Sequence, residues 1–109
     1  MSRLDHAIVM LDLDGEKYEL RPTLRALRSI SRQYGGIGSA MERVRAMDFD
    51  TVVNVVAAGA GIKDPSTIED QIFQAGIVNA MPAVSQYLVG LLDPSGSQGD
   101  EESEGKAPA

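Results

Sequence analysis

Residues Val9 to Tyr34, Val-Met-Leu-Asp-Leu-Asp-Gly-Glu-Lys-Tyr-Glu-Leu-Arg-Pro-Thr-Leu-Arg-Ala-Leu-Arg-Ser-Ile-Ser-Arg-Gln-Tyr, decide the fold of this chain. The first half reads as a β-hairpin. Asp14-Gly15 is a dipeptide that tolerates the positive φ angles of a two-residue type I′ turn. That turn sets a register in which Leu13 faces Glu16, Asp12 faces Lys17, Leu11 faces Tyr18, Met10 faces Glu19 and Val9 faces Leu20. One face then gathers Val9, Leu11, Tyr18 and Leu20, and the other gathers an expected Asp12–Lys17 ion pair. A slip by one residue would scramble both faces. The second half reads as an amphipathic helix. Pro22 keeps the approach extended, and Thr23 supplies an oxygen for the free N–H groups of the first turn. Leu24, Leu27, Ile30 and Tyr34 recur at helical spacing as the expected buried stripe, and Gly35-Gly36 ends the helix. An isolated hairpin is marginal in water, so its apolar face is expected to pack on this helix as the nucleus of the fold.

The chain of 109 residues is long enough for one domain. From Pro94 onward it has no large apolar side chain, so residues 94–109 read as a disordered acidic tail and 6–93 as a single domain. The tail holds Asp100, Glu101, Glu102 and Glu104 against Lys106, which is −3 of the total net charge of −6. That balance lacks the basic footprint of a nucleic-acid binder. No apolar run approaches the roughly 20 residues of a membrane span. The first residues, Met-Ser-Arg-Leu-Asp-His, lack the basic-then-apolar order of a signal peptide. With no cysteine there is no disulfide and no thiolate chemistry. A cytoplasmic protein fits these features.

After Gly36 the signals are helical and closely spaced. Ser39-Ala-Met-Glu42 matches a capping box, with Ala40, Met41, Val44 and Met47 as the apolar face of a second helix. Asp48 or Asp50 caps a third, Thr51-Val-Val-Asn-Val-Val-Ala-Ala. Valine runs favour strands by propensity. The continuing alanines, the preceding caps, and Gly59 and Gly61 behind the run decide for a helix. Asp64-Pro65 and Ser66-Thr-Ile-Glu69 offer two competing starts for a fourth helix, with Ile68, Ile72, Phe73 and Ala75 facing inward and Gly76 as the stop. The last helix is expected near Ala80 with Pro82 in its first turn, carrying Val84, Tyr87, Leu88, Leu91 and Leu92 toward the core and stopping at Asp93-Pro94. The expected fold is therefore α+β, an N-terminal hairpin packed on a bundle of four to five short helices.

Converging catalytic groups are scarce. His6 is the only histidine and reads as a strand-end residue rather than a triad base. Asp12/Asp14 and Asp48/Asp50 have the i, i+2 spacing of calcium loops but lack the later glycine and glutamate. Gly59-Ala-Gly-Ile-Lys63 lacks the glycine spacing and following Ser/Thr of a phosphate loop, and a helix C-terminus explains it better. No enzyme activity, metal or cofactor is expected. Two features read as partner surfaces. Arg21, Arg25, Arg28 and Arg32 form a row that is either a solvated helix face or a docking face for an acidic segment. The helix holding Val52, Val53 and Val56 is apolar around much of its circumference, so it is either central in the core or partly buried in an interface, self-association included.

The run Leu-Asp-Gly-Glu-Lys-Tyr-Glu-Leu-Arg-Pro-Thr-Leu-Arg-Ala-Leu (Leu13 to Leu27) resembles the opening of a small tail protein family of gene transfer agents and related siphophages. Members of that family look like a hairpin written L-D-G-x-x-Y-x-L-R-P-T, then a helix, a Gly-rich break, a Val/Ala-rich helix and a Phe-Gln/Glu-Ala-Gly segment. Here the last is similar to Ile72-Phe73-Gln74-Ala75-Gly76, and the resemblance spans Met10 to Leu92. It implies a role in tail morphogenesis, under two descriptions: a tail assembly chaperone that coats the tape-measure protein and brings tail tube protein to it, or a structural tail tube component. A tube subunit is expected to be rich in strands that close into a ring with neighbours. One hairpin followed by helices favours the chaperone, acting by binding alone in the cytoplasm of a bacterial host during particle assembly.

Overall fold

The computed structural model describes residues 8–94. It is α+β: an antiparallel hairpin, β1 (Val9–Leu13) and β2 (Glu16–Leu20), followed by five helices, α1 (Leu24–Tyr34), α2 (Ile37–Arg45), α3 (Phe49–Ala60), α4 (Glu69–Ala75) and α5 (Ile77–Leu92). A 3₁₀ turn, Pro65–Ile68, leads into α4. The proposed tail beyond Pro94 and the strand-end reading of His6 both lie outside the described residues.

The register is the one the turn chemistry dictates, from Val9 opposite Leu20 to Leu13 opposite Glu16. Asp14 and Gly15 have φ of 54° and 92°, the two positive values that a type I′ turn needs. Val9, Leu11, Leu13 and Leu20 are buried, and Tyr18 is half-buried. The expected Asp12–Lys17 ion pair does not form. The Asp12 carboxylate instead accepts the Gly15 N–H at 2.7 Å, closing the turn locally where a fixed N–H outcompetes a flexible lysine.

Helix α3 is the centre of the core, with seven of its twelve residues buried. It packs against α1, α2, α5, β2 and the 3₁₀ turn. Its backbone is also tied to the hairpin, because Arg21 N–H donates to the Gly59 carbonyl at 2.9 Å. Gly59 lies inside α3 rather than after it, and the helix ends at Gly61 with φ 74°. Gly59 is small for a reason: a Cβ there would sit 3.0 Å from Tyr87 Cζ and 3.1 Å from Leu20 Cβ. Tyr87 on α5 is fully buried, and its hydroxyl donates to the Arg21 carbonyl at 2.5 Å. Strand, α1 entrance, α3 and α5 therefore meet at one tightly packed point.

Several boundaries and faces differ from expectation. Thr23 caps α1, its Oγ1 accepting the Ala26 N–H at 3.0 Å. Leu24 nevertheless stays 63 % exposed, and Ala26 joins Ile30 on the buried face. At about 100° per residue, Leu24 falls roughly a quarter-turn away from the face centred on Ala26, Leu27, Ile30 and Tyr34. Helix α2 starts at Ile37 directly after Gly36, whose φ of 128° permits the immediate restart, so Ser39 caps nothing. Met47, expected inward, is half-exposed at φ 62°. Of the two candidate starts before α4, Asp64 is used, its carboxylate capping the 3₁₀ turn, whereas Ser66 caps no helix: its hydroxyl donates to Asp64, and α4 follows from Glu69 without a side-chain cap. Gly76 ends α4 and starts α5 at once, accepting the Asn79 N–H at 2.9 Å. Pro82 therefore lies within α5, on its exposed side, where water can take the carbonyl that its ring leaves unbonded. Phe73 and Leu92 are exposed at 74 % and 61 %, not inward.

Candidate protein-binding surface

The arginine row is divided by the structure. Arg21 precedes α1, and its guanidinium bonds Glu19 of the hairpin at 2.5 Å. Arg25, Arg28 and Arg32 lie on the side of α1 opposite its buried face, because spacings of three and four keep them on one line. With Leu24 and Ser29 they border a shallow concavity of about 370 Å³. A second hollow of about 250 Å³ adjoins it, sharing Arg25 and Ser29 and reaching Lys63 past the small side chains of Ala57 and Ala58. Among the described residues, no carboxylate pairs with Arg25, Arg28, Arg32 or Lys63, whereas Arg43 and Arg45 have Asp48 and Glu42 at 3.7 and 3.4 Å. Helix α1 contains no acidic residue. The result is a cationic, partly apolar trough on a chain of net negative charge.

Val52, Val53 and Val56 are not at any surface. They are at most 2 % exposed and form the middle of the core. An apolar circumference had two readings, and burial by α1, α2, α5 and the hairpin on all sides selects the core.

The exposed apolar face lies on α5 instead. Val78, Pro82, Ser85, Val89 and Leu92 are all exposed. Their spacings of four, three, four and three place them within roughly 40° of one line along the helix. Such a 4-3-4-3 repeat is the seam through which one helix meets another. Met41 and Arg45 of α2 flank it across a small cleft with Ser85 and Val89, and Phe73 stands exposed just before α5. The signal was present in the sequence as a stretch without charge: residues 71–92 contain no Asp, Glu, Lys or Arg in a chain that is 24 % charged. Core packing needs only one side of α5 to be apolar, and that side is Ala80, Val84, Tyr87, Leu88 and Leu91. The second, outward apolar face is surplus to folding.

The trough and the seam are on different helices, with α3 packed between α1 and α5. Among the described residues no cluster of His, Asp or Glu could hold a metal ion. No helix among them is long and apolar enough to cross a membrane. Burial pushes the Tyr87 phenol well above its ordinary range, which keeps it a neutral donor to the Arg21 carbonyl rather than a reactive group. No family model, curated protein or solved structure matches the chain.

Proposed function

We propose that this protein is a non-catalytic helix-binding module that acts as a tail assembly chaperone, holding the tape-measure protein and helping to bring tail tube subunits to it. The observation that carries this reading is the uncharged outer face of α5, where Val78, Val89 and Leu92 are 61, 59 and 61 % exposed on one line. Exposed apolar area of that kind is costly in water and stabilises a complex when a partner helix covers it. The tape measure supplies long apolar helices that need covering until the tube closes around them. The resemblance of Leu13–Leu27 to the small tail proteins points to the same process. The helices in the Thr51–Leu92 region support the chaperone over a tube component, since a ring subunit needs sheet edges to join its neighbours. The site of action would be the bacterial host cytoplasm during assembly.

The reading is tested by co-expressing the chain with the tape-measure and tube proteins of the same tail and following it by mass spectrometry. The chain should co-purify with tape-measure intermediates and be missing from finished particles. Recovery from finished particles at many copies would make it a structural tail tube component instead.

A further inference from the structure

We infer that the chain's own acidic run, Asp100 to Glu104, docks into the cationic trough on α1. This inference is independent of what α5 binds. It begins from the trough itself. Arg25, Arg28 and Arg32 line one hollow, Arg25 and Lys63 the adjoining one, and none of the four has a carboxylate partner among the described residues. Four cations without counter-charges on one side of a protein of net charge −6 repel one another and attract any nearby acidic segment. The sequence holds such a segment after the described residues: Asp100, Glu101, Glu102 and Glu104, four carboxylates in five residues. The charges match in number. The guanidinium fork suits paired carboxylates, and the hydroxyl of Ser29 between the two hollows offers a further donor.

The connection is also long enough. Tyr87 Oη on α5 bonds the Arg21 carbonyl, which fixes α5 to the foot of α1 only four residues before Arg25. Helix α5 ends at Leu92, so the acidic run begins six residues beyond Pro94. Six to ten extended residues span roughly 20–35 Å. That reach is about the diameter of a domain of this size. Covalent connection over this length raises the effective concentration of the acidic run beside the trough. Exposed pairs of this kind are individually weak and salt-sensitive. A contact built from such pairs is salt-sensitive and displaceable.

The absence of native cysteine makes the test direct. A nitroxide attached to the full chain through Ser103→Cys should broaden the amide signals of Arg25, Arg28, Ser29, Arg32 and Lys63 selectively. Those signals should lose more than half of their intensity relative to the reduced label, and α4 amides should lose little. Raising salt to 1 M, where the screening length is about 3 Å, should restore them. So should the substitution R25Q/R28Q/R32Q. Weak uniform broadening, or selective broadening that survives both salt and the arginine substitutions, overturns the inference. So does broadening seen only when labelled chains are mixed with separate isotope-enriched ones, because the occupant would then be a second copy.

Discussion

Replacing Gly59 by alanine probes the point where the hairpin, α3 and α5 converge. The added Cβ would lie 3.0 and 3.1 Å from Tyr87 Cζ and Cε2, and 3.1 Å from Leu20 Cβ. Contacts this short are tighter than nearly all real Cβ contacts, so each neighbour must give by a few tenths of an ångström. Neither can do so freely. The Tyr87 ring is held at its far end by the bond to the Arg21 carbonyl, and the Leu20 Cβ follows a strand whose next residue bonds the Gly59 carbonyl. Overpacking of this kind costs about 1–3 kcal/mol. Alanine returns up to about 1 kcal/mol through helix propensity. The net expectation is destabilisation by about 1–2 kcal/mol. For a domain of this size each kcal/mol lowers Tm by about 4–8 °C, so thermal melting followed by circular dichroism resolves the effect. Gly38→Ala is the control. Gly38 lies in α2 with no heavy atom near its absent Cβ, so alanine there should leave Tm unchanged or raise it slightly. A Gly59→Ala protein that melts as high as the native chain would refute the close packing of Tyr87 on α3.

Burial disfavours the Tyr87 phenolate, so the folded chain holds that proton more tightly than the unfolded chain. Its contribution to stability is fully present below the ordinary tyrosine value near 10.0 and is lost as pH rises through the higher folded value. Urea melts from pH 9 to 11 should show native stability falling more steeply than that of Tyr87→Phe, by up to about 1.4 kcal/mol per pH unit. Parallel pH profiles would mean that the hydroxyl is not buried. Changing Arg25, Arg28 and Arg32 together to glutamate should weaken co-purification with the tape-measure protein. The three side chains are exposed and have no carboxylate partner among the described residues, so Tm should stay within a few degrees of native. Full retention of the partner would remove the arginine trough from partner binding.

The hairpin was legible because two independent signals agree on it, the Asp14-Gly15 turn and the alternation of Val9, Leu11 and Leu13 against Leu20. The α3 helix was legible despite its valines from Asp48 before it and Gly61 behind it, although the Asp48 carboxylate accepts the Thr51 hydroxyl rather than a backbone N–H. What escaped the sequence was mainly which apolar residues the core would leave uncovered. Leu24, Phe73 and Leu92 are as hydrophobic as their buried neighbours, and only the direction each helix is turned by its packing exposes them. Gly35 ends α1 and Gly36 starts α2, while Gly76 ends α4 and starts α5, so starts inferred from Ser39 and Ala80 came two or three residues late. The exposed apolar surface also lies elsewhere than composition suggests. Val52, Val53 and Val56 stand out by composition, yet they are needed inside. The α5 seam shows only when the charge-free stretch 71–92 is set beside the side of that helix already consumed by the core.

The claim that the outer face of α5 is a helix-binding surface is tested most directly by placing charge on it. Val89 and Leu92 are 59 and 61 % exposed, so V89D/L92D should leave the far-ultraviolet spectrum and Tm close to native. Co-purification of the full chain with the tape-measure protein should then fall to background. Undiminished co-purification of a folded V89D/L92D chain would contradict the account.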